Sequence, residues 1–146
     1  MKKMMMSLLS LTAFIFSLVA IAGEKPITKD QLPQKAQSFI EQYYSAEKIS
    51  YSLKEDDFFK PDYQVLLANG VKLEFKNSGE LKSIESRSIA IPDGIIPPAI
   101  ISYIKTQFPD TDCREYEIDK RSYEISLSNR LELKFNKNFQ LVEIDD

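Results

Sequence analysis

Histidine and tryptophan are absent from the 146 residues, and cysteine occurs once. Each gap removes a class of chemistry. Without histidine there is no Ser–His or Cys–His relay, and the commonest transition-metal ligand is missing. Cys113 alone cannot form an intramolecular disulfide, even in an oxidising compartment. Its setting, "TDCREY", supplies no base to make a thiolate and reads as the start of a strand, where cysteine behaves as a small buried hydrophobe. Four glycines are too few and too scattered for a phosphate-cradling loop. The acidic clusters Glu55-Asp56-Asp57, Asp110-x-Asp112 and Asp145-Asp146 lack the ligand ladder of a calcium loop and read as solvated charge. No catalytic residue, cofactor or metal site is assigned, and the expectation is a non-enzymatic protein. A basic stripe is missing too, which disfavours nucleic acid and anionic membrane surfaces as partners.

What is present begins with a leader. Lys2 and Lys3 precede an apolar run from Met4 to Ile21, which ends in Ala20-Ile21-Ala22, the small-x-small pattern of signal-peptidase sites. The run is short for a membrane span and no stop-transfer charges follow. The expectation is a signal peptide over residues 1–22, cleaved after Ala22, and a periplasmic or secreted mature chain without membrane insertion. Loss of Lys2 and Lys3 takes the formal net charge from −3 to −5.

The rest of the chain says nearly the same thing twice. "YQVLLANGVKLEF" from Tyr63 aligns without a gap on "YEISLSNRLELKF" from Tyr123. Tyr63/Tyr123, Leu67/Leu127, Asn69/Asn129, Leu73/Leu133, Phe75/Phe135, Leu81/Leu141 and Ile84/Ile144 are identical pairs, mostly apolar and at strand spacing. Upstream, "LPQKAQSFIEQYY" from Leu32 matches "IPPAIISYIKTQF" from Ile96. Ala36, Phe39, Ile40 and Tyr43, and then Ile100, Tyr103, Ile104 and Phe108, follow the stripe of an amphipathic helix opened by proline.

Each helix precedes four strands: "KISYSLKE", "YQVLLA", "VKLEF" and "ELKSIES", then "CREYEID", "YEISLS", "LELKF" and "FQLVEID". Asn69-Gly70 predicts a two-residue type I′ hairpin, and Arg130 at the matching position predicts a different turn in the second copy. The last strand of each copy reads Leu-x-x-Ile, which breaks alternation and predicts a bulge or twist. "SRSIAIPDGIIPP" reads as the linker. The expected fold is α+β: a tandem repeat of one helix plus four antiparallel strands, residues 23–88 and 89–146. The two sheets would join into one extended curved sheet with both helices on one face. One unit alone buries too little apolar surface and leaves an edge open, so the duplication completes a core.

A helix followed by YxVxLxNGxxLEFxxxGxLxxI resembles the beta-lactamase-inhibitor-like, PepSY-like family of bacterial secreted proteins. Tyr63, Val65, Leu67, Asn69, Gly70, Leu73, Glu74, Phe75, Gly79, Leu81 and Ile84 carry the likeness. It implies tandem helix-plus-four-strand units in an extended curved sheet. In the inhibitor that names the family, the open sheet face and its loops bind a partner enzyme. Arg130 and Phe139 depart from the pattern at the positions of Gly70 and Gly79.

Two regions are candidate partner sites. One is the sheet face opposite the helices, including Gln64, Leu66, Lys72, Glu74, Glu132 and Lys134, a mixed polar surface that an ordinary solvated face would also present. The other is "EDDFFKPDY", where Phe58 and Phe59 stand beside Asp56 and Asp57, either as exposed anchors or as a lid on the core. The expected function is a binding or inhibitor-like module for a protein or peptide in the envelope or outside the cell. The alternative is a carrier of a small ligand or lipid.

Overall fold

A computed structural model of the chain describes residues 23–55 and 62–146. The expected signal peptide at 1–22, and Asp56, Asp57, Phe58 and Phe59, lie outside the described residues. The chain is α+β, with one open antiparallel sheet in which spatial order follows chain order. Its strands are β1 (Glu24–Ile27), β2 (Ile49–Glu55), β3 (Tyr63–Leu67), β4 (Lys72–Phe75), β5 (Leu81–Glu85), β6 (Cys113–Ile118), β7 (Ser122–Leu127), β8 (Glu132–Asn136) and β9 (Leu141–Asp145). Helix α1 (Gln34–Tyr44) lies between β1 and β2, and α2 (Pro98–Gln107) between β5 and β6. The two matched stretches of sequence fall in β3–β5 and β7–β9. Strand β1 is additional to the strands read from the sequence. "EKPI" has no strand alternation, and Pro26 suits it only to an edge.

One row of paired residues runs Ile27–Ser52–Val65–Leu73–Ile84–Tyr116–Ile125–Leu133–Ile144 from β1 to β9. From Ser52 to Leu133 these residues are buried. Phe39 of α1 meets Phe75 edge-on at 5.6 Å between ring centroids, and Tyr103 of α2 meets Phe135 in the same way at 5.6 Å. Phe75 and Phe135 project from the same face as Leu73 and Leu133, so both helices cover one side of the sheet. A single apolar cluster spans that side, joined by Ile91 and Ile96 from the segment between β5 and α2. Cys113 belongs to it, as its strand position predicts.

The hairpins correct the expected turn type. Asn69 does not take the positive φ that a type I′ turn needs. Instead Gly70 N–H donates to Leu67 C=O (3.0 Å) and Leu67 N–H to Val71 C=O (2.9 Å), closing a three-residue loop whose last residue is left-handed. The same pair of bonds closes the β4–β5, β7–β8 and β8–β9 hairpins, with Gly79 (φ 88°), Arg130 (φ 73°) and Phe139 (φ 63°) in the left-handed position. The expected difference between the first and second hairpins is therefore absent. Arg130 and Phe139 adopt the turn that glycine adopts elsewhere, at a steric cost. Asn69 and Asn129 play matching parts, each accepting the N–H two residues on (3.1 Å). Gly79 has a second reason to be glycine, because a Cβ there would meet the Cβ of Pro33 at 2.9 Å. The bulges expected in Leu-x-x-Ile are present: Phe75 pairs Leu81 while Glu74 pairs Ser83, and Phe135 pairs Leu141 while Lys134 pairs Glu143.

Candidate functional site: an acidic open sheet face

Because strand residues alternate faces, the helix-side row fixes what lies opposite. Two rows cross the open face. One runs Gln64–Glu74–Ser83–Glu117–Glu124–Lys134–Glu143. The other runs Leu66–Lys72–Glu85–Glu115–Ser126–Glu132–Asp145. They bring acid directly against acid at Glu117–Glu124, Glu85–Glu115 and Glu132–Asp145. Such pairs, with Cβ atoms roughly 5 Å apart, destabilise a sheet.

From Glu74 and Glu85 onward these residues line a groove of about 570 Å³ running from β4 to β9. Lys134 is its one basic lining residue, against eight carboxylates, so a negative potential is focused there. Part of that charge is neutralised within the face. Lys134 Nζ lies 3.7 Å from Glu124, Lys72 Nζ 3.6 Å from Glu74, and Arg87 Nε 3.0 Å from Glu85. Among the described residues, no Lys or Arg lies within ion-pair distance of Glu115, Glu117, Glu132, Glu143 or Asp145. Burial, with help from Asp119, Glu124 and Glu74, holds the Glu117 carboxyl above its ordinary pKa, and Lys82 opposes the shift. Lys82 is itself held by Asp62 at 2.8 Å.

The carboxylates of Glu117, Asp119 and Glu124 converge within 4.8 Å of one another, so they are the described residues that could share a hard cation. Cys113 offers no nucleophile: burial, reinforced by Asp93 and Asp112, pushes its thiol up to about 11.

Of the residues expected at a partner site, Glu74, Glu132 and Lys134 line the groove. Leu66 and Lys72 line a smaller hollow of about 360 Å³ beside it, together with Glu85 and Arg87. Gln64 lies on the same face, opposite Glu74. Glu85, Glu115, Glu117 and Glu143 were not singled out from the sequence, and Asp145 was read only as solvated charge. Their alternation with Ile84, Tyr116 and Ile144 was readable, but the contact of β5 with β6 was not, and it is that contact that sets Glu85 against Glu115.

The family described as "Putative beta-lactamase-inhibitor-like, PepSY-like" matches residues 61–143. The chain belongs to this family. Solved structures similar to this PepSY-like chain share its fold. A Bacteroides thetaiotaomicron protein described as a "putative calcium-regulated periplasmic protein" is 41% identical, with a TM-score of 0.82 over 84% of this chain and 97% of that one. A Bacteroides vulgatus protein described as a "putative periplasmic protein" is 37% identical, with a TM-score of 0.83 over 86% of this chain and 99% of that one. A second B. vulgatus protein, "of unknown function", is 30% identical, with a TM-score of 0.80 over 85% and 100%. No curated protein matches the chain. No helix among the described residues is long and apolar enough to cross a membrane.

Proposed function

We propose that this PepSY-like chain is an exported, non-enzymatic binding module of the cell envelope, and that its open sheet face receives a cationic segment of a partner protein or peptide. The observation that carries this reading is the set of acid–acid pairs, Glu117–Glu124, Glu85–Glu115 and Glu132–Asp145. Each costs the isolated fold some stability, and each loses that cost when a cation lies over it. The periplasmic description of similar structures supports export, and the leader over residues 1–22 fits it. We divide the fold into two units, 23–88 and 89–146, each with a helix and four strands after it, β1 being additional in the first; their matching hairpins and bulges support the division. A carrier of lipid or small ligands needs apolar space, whereas the helix side is filled by side chains such as Phe75, Phe135 and Ile100, each 0% exposed. The test is affinity capture from the native envelope, read by mass spectrometry. Wild-type protein is compared with a folded Glu115→Gln, Glu117→Gln, Glu124→Gln, Glu132→Gln variant. A partner held by wild type and lost by the variant supports the reading; equal capture by both removes the face from the site.

A second reading has an observation of its own. One similar protein is described as calcium-regulated, and here Glu117, Asp119 and Glu124 converge. On this reading Ca²⁺ is the cation the face takes, and it regulates partner binding. Calcium should then raise the melting temperature while magnesium does so less, and Glu117→Gln with Glu124→Gln should abolish the difference. An unchanged melting temperature at millimolar Ca²⁺ removes this reading and leaves the first.

A further inference from the structure

We propose that strand β9 is a docking edge for an extended peptide segment alternating basic, apolar and basic residues, added as a further antiparallel strand. This rests on the reading of the open face as the partner side, and it names how the partner meets that face.

The chain contains its own template for the contact. Ile84 of β5 is 1% exposed, because β6 pairs alongside and sets Tyr116 opposite it. Ile144 of β9 has the same place in the matched sequence and the same partner on the strand before, Leu133 where Ile84 has Leu73. Yet Ile144 is 46% exposed. Among the described residues, β9 pairs on one side only.

The backbone is set to accept a strand. Ser86 N–H donates to Arg114 C=O at 2.7 Å, so by the two-residue period Ile84 also turns its N–H and C=O toward β6. Equivalent pairing turns the N–H and C=O of Ile144 to the open edge. On the open face Ile144 is flanked by Glu143 and Asp145, both exposed and both lining the acidic groove. Lys134 stands opposite Glu143, but its ammonium lies 3.7 Å from Glu124.

An incoming strand therefore meets three demands in order: a cation against Glu143, an apolar side chain against Ile144, and a cation against Asp145. A second copy of the chain meets them badly. Antiparallel β9 against β9 centred on Ile144 sets Glu143 against Asp145, like against like. The opposite sheet edge, β1, carries Pro26, whose nitrogen has no hydrogen to give.

The probe is a peptide with the core Lys-Ile-Lys-Ile-Lys. Its controls are a scrambled peptide of equal charge and the acidic analogue Glu-Ile-Glu-Ile-Glu. The expected result is at least ten-fold tighter binding of the alternating basic peptide than of the scramble, with slowed hydrogen exchange at the Ile144 amide. Glu143→Lys with Asp145→Lys should reverse the preference in favour of the acidic analogue, in a protein shown to be folded by circular dichroism. Ile144→Pro should lose binding altogether. Equal binding of alternating and scrambled peptides, no binding of any peptide, or a preference unmoved by the β9 reversal overturns the proposal. So does a dimer in sedimentation that Ile144→Pro dissolves, which would make a second copy the occupant. The two readings separate on Glu115→Gln with Glu117→Gln. If these variants lose the peptide while β9 variants keep it, the face stands and the edge falls. If the β9 reversal switches preference and they change nothing, the edge stands without the face.

Discussion

Glu117 stands directly across from Glu124 in the β6–β7 pair, with the Asp119 carboxylate within 4.8 Å of both. A sheet selected for stability alone would set a lysine on one side of that pair, as β7 and β8 do with Glu124 and Lys134. Replacing both glutamates, Glu117→Gln with Glu124→Gln, should stabilise the isolated protein by about 0.5–1 kcal/mol. Melting curves at low and high salt check this. Added NaCl should raise the wild-type midpoint more than that of the variant, since salt screens the repulsion that the variant lacks.

The same cluster sets a pH dependence. Burial and neighbouring carboxylates raise the folded-state pKa of Glu117 above its ordinary value. Folding therefore takes up a proton at Glu117 in the interval between the unfolded and the folded pKa. Its destabilising contribution is complete above the folded pKa and vanishes below the unfolded one. Mild acidification from neutrality into that interval should stabilise wild type relative to Glu117→Gln, as urea midpoints at successive pH values will show.

Turn positions give a pair of opposite expectations. Arg130 is exposed and left-handed at φ 73°, so Arg130→Gly should stabilise by about 1 kcal/mol. Gly79 has φ 88° and no room beside Pro33, so Gly79→Ala should cost about 1–3 kcal/mol. Denaturant midpoints of the two variants, measured side by side, decide the matter.

Cutting the chain between Ser88 and Ile89 should leave neither part well folded. The cut separates Ile84 from Tyr116, Ile91 and Ile96, all in one buried cluster. Expression of 23–88 and 89–146 separately should give aggregated or poorly cooperative material. Two dispersed monomers with sharp transitions would make them independent domains.

Cys113 should react slowly with thiol reagents in the folded protein and fast after denaturation. The residue is buried and its thiol is pushed up to about 11. Rapid labelling under native conditions would place it outside the core.

Much of the fold was legible because its signal is local. Alternation placed Val65, Leu67, Leu73 and Phe75 in the core, and the proline-opened stripes placed α1 and α2. Leu-x-x-Ile betrayed both bulges, since no regular strand can bury both residues. The type I′ expectation failed because Asn-Gly fits two turns. The loop took Ala68 as a third residue, and Asn69 spends its side chain on the Val71 N–H instead of entering the left-handed region. Strand β1 was hidden because an edge strand needs no apolar alternation. The open face was legible in part. Glu74, Glu132 and Lys134 could be assigned to it by parity, but Glu85 against Glu115 could not, because that pair is made where β5 meets β6, a contact that no local pattern encodes.

The most direct test of the acidic face is a crosslink made in the cell. Ser83 lies between Glu74 and Glu117, and Ser126 between Glu115 and Glu132, on the open face. Ser102 is exposed on α2. A photoreactive residue at each position, activated in the native envelope, samples the two sides of the molecule. Crosslinks to one partner from Ser83 and Ser126, lost when Glu115 and Glu117 become glutamine and absent from Ser102, are the predicted result. A partner crosslinked from Ser102 and not from Ser83 or Ser126 would contradict it.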